Sequence, residues 1–219
     1  MGMETSQSVI ILSAAEQRVL GALIEKSKTT PDYYPMTIAA LTAACNQKTS
    51  RNPVVNYDEE TVTLTLNALK IKGLTGTATG AGSRSTKYKH NLAIVYPLLP
   101  TELAILCLLL LRGPLTPGEI NTNAARLYEF DTIEDVQEIL QKLASDQPPY
   151  VKQLEKKPGQ KEARYIHLFG TITEFQDIAE TTNQEASTME ASNKLLEERM
   201  ARLERELEEV KEMLNLLMN

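Results

Sequence analysis

DEETVTLTLNALKIKG, residues 58–73, and DTIEDVQEILQKLASD, residues 131–146, decide the fold. Val62, Leu66 and Leu69 recur at helical spacing, and Val136, Leu140 and Leu143 repeat them at a constant offset of 74. An offset of that size marks a duplicated unit rather than a chance likeness of two helices. Asp58 and Asp131 stand where an N-cap is needed, and Gly73 is placed to end the first helix.

Working outward, both copies predict the same order of elements. Ser13-Ala-Ala-Glu16 reads as a capping box opening a helix through Val19, Leu20, Leu23 and Ile24. A second helix is expected over roughly Met36–Ala44. After Gly73, two strand-like runs, about 74–79 and 86–92, flank Gly80-Ala-Gly82. In the second copy, Thr101-Glu102 opens a helix through Leu111, residues 117–128 read as the next, and runs at 150–155 and 163–168 flank Lys156-Lys-Pro-Gly159. Tyr88-x-His90 and Tyr165-x-His167 fall at equivalent points and hold the only two histidines.

Three helices and a hairpin describe the winged form of helix-turn-helix. The expected fold class is therefore mainly α with small β-hairpins (α+β). It comprises two tandem winged helix-turn-helix domains, 10–98 and 99–170, a linker at 171–185, and a coiled-coil helix at 186–219. In that last segment Met189, Leu196, Leu203, Val210 and Leu217 fit position d, and Asn193, Met200, Leu207 and Leu214 fit position a. More than four heptads run without a break, and Asn193 at a favours a parallel homodimer in fixed register.

Composition excludes several classes. The longest apolar run, Leu103–Leu111, is nine residues, while spanning a bilayer takes about 20. The run thus reads as a buried helix, and no membrane association is expected. No signal peptide is read at the N-terminus. Cys45 and Cys107 lie far apart without metal-ligand spacing and read as buried apolar residues of a reducing, cytoplasmic protein. With 5% aromatics and no Trp, the cores are expected to be aliphatic. No catalytic residue, cofactor or metal is implied, and the histidines read as rings packed at the base of each hairpin.

The stretches at residues 25–36 (EKSKTTPDYYPM) and 44–54 (ACNQKTSRNPV) resemble the YceH-like family of bacterial proteins, of UPF0502 type, and the likeness extends over 13–170. The resemblance implies tandem winged helices and brings no activity with it. Thr49 and Asn52 depart from it, since Ser and Asp are expected there.

Charge points to a partner class. Residues 1–98 carry 10 basic and 7 acidic groups, residues 99–170 carry 8 and 10, and residues 171–219 carry 5 and 12. Affinity for a polyanion therefore belongs to the first unit. There the outward face of the 58–73 helix offers Thr63, Asn67 and Lys70, the hairpin offers Arg84, Lys87 and Lys89, and the 45–57 loop offers Lys48 and Arg51. These are the candidate contacts to nucleic acid or another partner. Asp58, Glu59 and Glu60 oppose that reading, although an acidic first turn also stabilises any helix. The second unit turns Glu134, Asp135, Glu138 and Lys142 outward, which suits a protein partner, with Lys156, Lys157, Lys161 and Arg164 on its hairpin. The alternative to nucleic-acid binding is a scaffold joining proteins through the helical units and the coiled coil. The loop is expected to be a contact surface, with Pro53-Val-Val55 tucked against the body.

Overall fold

In a computed structural model of the protein, residues 9–78, 85–156 and 160–170 are described. All of them belong to the unit Met1–Glu174. The expected linker and coiled coil, 171–219, lie outside the described residues, as do Arg84 and Lys157.

The helices are α1 Ala14–Thr29, α2 Ile38–Cys45, α3 Glu59–Ile71, a single turn α4 Leu92–Val95, α5 Pro100–Arg112, α6 Pro117–Ala124 and α7 Ile133–Ser145. Their starts follow local chemistry. The Ser13 amide donates to Glu16 Oε2 at 2.7 Å while the Glu16 amide donates to Ser13 Oγ at 3.3 Å, so the expected capping box forms. The Thr61 amide donates to Asp58 Oδ1 at 2.8 Å, capping α3. Thr116 with Glu119 does the same for α6. At α7 the cap is Thr132 rather than Asp131. Thr132 forms the reciprocal pair with Asp135 three residues on, and Asp131 stands one residue ahead of the cap. Gly73, at φ +76°, ends α3 in the left-handed region where a side chain would be strained.

Strands β1 (Thr75–Ala78) and β2 (Lys87–His90) pair antiparallel with Thr75 opposite His90. Strands β3 (Val151–Gln153) and β4 (Tyr165–His167) pair with Val151 opposite His167. Each hairpin gains a third partner just ahead of the second helix of its unit. Met36 exchanges backbone hydrogen bonds with Tyr88 at 3.0 and 2.8 Å, and Leu115 does so with Tyr165 at 3.1 and 2.8 Å. The duplication thus extends to a tie that neither periodicity nor turn chemistry announces.

The two halves bury their apolar faces in one continuous core. α1 and α5 lie against each other, and Leu103–Leu111 of α5 are all buried. A helix enclosed all round must be apolar all round, which explains the leucine run. The core is not purely aliphatic: Tyr96 meets Tyr150 and Phe169 edge-on, each with ring centroids 5.5 Å apart. The Leu12 amide donates to the Phe169 carbonyl, and the Ile10 amide to the Tyr96 hydroxyl, so the first described residues are stitched to the last. No described helix is long and apolar enough to cross a membrane.

Candidate functional site

α3 turns Val62, Leu66 and Leu69 into the core. On its far side Asn67 and Lys70 are exposed, and Thr63 is half-buried with its hydroxyl donating to the Glu59 carbonyl at 2.6 Å. On β2, Lys89 is exposed and Lys87 half-buried. Neither they nor Lys70 forms an ion pair with a described residue. The same face carries apolar residues not anticipated from the sequence, Leu64 at 63% exposure and Ile71 at 89%.

In the second unit two cations are held by carboxylates, while Lys156 and Lys161 on its hairpin form no ion pair with a described residue. Arg164 makes a bidentate pair with Glu119, both contacts 2.8 Å, and its Nη1 also donates to the Pro114 carbonyl. Lys142, on the outward face of α7, reaches back to the buried Glu102. These two are therefore not free to meet phosphate.

The loop between α2 and α3 corrects one expectation outright. Arg51 does not face a partner; its side chain is fully buried. Its Nη1 and Nη2 donate to Glu25 Oε1 and Oε2 at 3.1 and 2.6 Å, Nε and Nη2 donate to the Ala44 carbonyl, and Nη2 donates to Gln47 Oε1. A guanidinium taken from water needs this full set of acceptors. Burial works against the Glu25 carboxylate, but the bonds and charge of Arg51 and Lys26 outweigh it and hold its pKa below the ordinary value. The loop is fastened elsewhere too. Asn46 bonds through both side-chain atoms to the backbone of Tyr57, at 2.7 and 2.8 Å. The Asn52 amide donates to the Leu111 carbonyl, and Arg112 Nη2 to Ser50 Oγ at 2.8 Å. Pro53 and Val54 are exposed rather than tucked in; Arg18 holds this stretch instead, donating to the Cys45 and Pro53 carbonyls. Only Lys48 and Thr49 remain exposed in the basic part of the loop.

Cys45 and Cys107 are buried thiols, and burial pushes Cys45 up to about 12. His90 Nε2 lies 3.3 Å from Ser27 Oγ beneath the Tyr34 ring, and His167 is almost wholly enclosed beside Phe169. Burial lowers their pKa values from 6.5 to about 4 and about 3. Between those values and 6.5 the unfolded chain binds the protons that the folded chain refuses. Stability should accordingly fall as pH drops below 6.5, by up to about 1.4 kcal/mol per pH unit for each histidine. Urea melts at pH 7, 6 and 5 will show it. The loss should shrink in His167→Gln, and a flat profile across that window would contradict neutral burial.

Similarity to known proteins follows the whole of this architecture. Residues 12–160 match the family described as "Protein of unknown function, DUF480". A UPF0502 protein of Shewanella piezotolerans is 43% identical over 216 residues, covering 95% of this chain and 98% of that protein. UPF0502 proteins of Opitutus terrae and Pelobacter propionicus are each 48% identical over 161 residues; these cover 73% and 74% of this chain and 70% and 73% of theirs. On these matches the chain belongs to the DUF480 family, whose relatives bear the name UPF0502 protein.

Proposed function

We propose that this protein is a non-enzymatic, cytoplasmic, homodimeric winged-helix protein that binds nucleic acid through its first unit, paired by a parallel coiled coil over 186–219. The supporting observation is the set of lysines on α3 and β2 of the first unit that no described carboxylate pairs. Lys70 on α3 and Lys87 and Lys89 on β2 have no described carboxylate partner, and in the second unit Lys142 and Arg164 are held by Glu102 and Glu119. Asp58 caps α3 and Glu59 and Glu60 stay exposed beside it, so contacts are assigned to Asn67, Lys70 and the hairpin, away from the acidic first turn. Contacts of that kind go mainly to phosphates, so binding should be steeply salt-dependent and only weakly sequence-selective.

Three lysines from each of two chains predict a slope of log K against log salt near roughly −5 on duplex DNA. Fluorescence anisotropy with a generic duplex will measure it. A Lys87→Ala/Lys89→Ala variant should flatten the slope to roughly −2, with its melting temperature unchanged. Absence of binding at low salt, or a variant that binds like the parent, would remove this reading. A scaffold acting through protein contacts is the second reading, favoured by Leu64 and Ile71 standing exposed on α3.

A further inference from the structure

A cleft of about 480 Å³ opens where α1, α5 and α6 end, with the 46–57 loop as one wall. Its size is that of a small-molecule site. One side is apolar, with half-buried Leu127 in front of the buried Leu108 and Leu111. The other is cationic: Lys26, Lys48, Arg112 and Arg126 line it, and Glu25 is the only carboxylate among the lining residues.

Glu25 is already used up. Its two oxygens take the Arg51 guanidinium, and Oε2 also holds Lys26 at 3.0 Å. Arg112 is left with the neutral Ser50 hydroxyl, and its buried Nε has no acceptor among the described residues. Burial lowers the pKa of Arg112, and the charge of Glu25, already shared with Arg51 and Lys26, does not offset it. Helix ends account for part of the charge, because Lys26 and Arg112 occupy last turns, where the dipole favours cations. They do not account for Lys48, in the loop, or for Arg126, two residues beyond α6.

We infer that this cleft binds a small phosphate ester, its phosphoryl group held by Arg112, Lys48 and Arg126 and its organic body laid against Leu127. Guanidinium groups match phosphate oxygens with paired donors, and lysine adds point charge. Half-buried Leu127 offers an apolar contact that a bare phosphate would not use, which is why an ester fits better than the inorganic ion.

Isothermal titration of the full chain with phenyl phosphate and with inorganic phosphate, at low salt, tests the assignment. Phenyl phosphate should bind with Kd below about 1 mM, at least about threefold tighter than inorganic phosphate. Lys48→Ala/Arg126→Ala, which alters two exposed side chains, should bind it at least about tenfold more weakly while melting at the parent temperature. The Lys87→Ala/Lys89→Ala variant should bind phenyl phosphate normally, so the outcome is independent of duplex binding. No phenyl phosphate binding at 10 mM (a concentration about tenfold above that Kd), or undiminished binding by the cleft variant, would overturn the proposal. Equal binding of both probes would overturn the ester. Loss of duplex binding in the cleft variant, with the parent indifferent to phenyl phosphate, would make the cleft a nucleic-acid surface instead.

Discussion

Arg51→Ala is expected to lower the free energy of unfolding by about 3–5 kcal/mol, a large share of what a domain of this size possesses. The side chain is fully buried and accepts no substitute for its geometry: Glu25, Gln47 and the Ala44 carbonyl all depend on it. Truncation leaves the Glu25 carboxylate with Lys26 alone and the Ala44 carbonyl without a donor. Both penalties are those of orphaned polar groups, which exceed the net worth of the bonds lost. Glu25→Gln tests the other side, keeping the shape and leaving the guanidinium buried without its anion. A double substitution to methionine at both positions should cost less than either single change, since no charge is then stranded. Urea titration of the four proteins gives the comparison. A loss below about 1 kcal/mol for Arg51→Ala would mean that the loop is fastened mainly by Asn46, Asn52 and Arg18.

That pair also shows where legibility in the sequence stops. Helix positions were readable because their signals are local. Ser13 and Glu16, Asp58 and Thr61, and Val62, Leu66 and Leu69 in turn each stand within four residues of the next. The duplication was readable because it repeats such local signals. Arg51 and Glu25 are 26 residues apart, and Arg164 and Glu119 are 45 apart. Nothing in the neighbourhood of either residue distinguishes a cation destined for burial from one left in water. Composition misled in the same way over Tyr96, Tyr150 and Phe169. Few aromatics in the chain says nothing about whether three of them meet. The candidate interface fared according to the same rule: the face of α3 followed from helical periodicity, whereas the loop's role depended on long-range partners.

Gly21→Leu should cost about 3 kcal/mol or more, chiefly by forcing apart the two helices that join the halves of the core. Gly21 lies inside α1, where glycine itself is unfavourable by about 1 kcal/mol relative to alanine. Its presence there is explained by what it faces. A Cβ at this position would come within 2.9 Å of Leu111 Cγ and Cδ2 and within 3.3 Å of Leu110 Cβ on α5. The Cys107 thiol lies 3.5 Å from the Gly21 carbonyl, so backbone and side chains are close along this contact. Alanine regains helix propensity but must move Leu111, and these effects partly cancel. Leucine adds three more carbons with no space for them. Leu111→Ala alone should cost about 2–5 kcal/mol through the cavity it leaves. Combined with Gly21→Leu it provides room for the new side chain, so the double variant should be more stable than the sum of the singles predicts. Thermal melts of the three variants decide the matter. Strict additivity would place the strain elsewhere, and an unchanged melting temperature in Gly21→Leu would show that α1 and α5 can part without loosening the core.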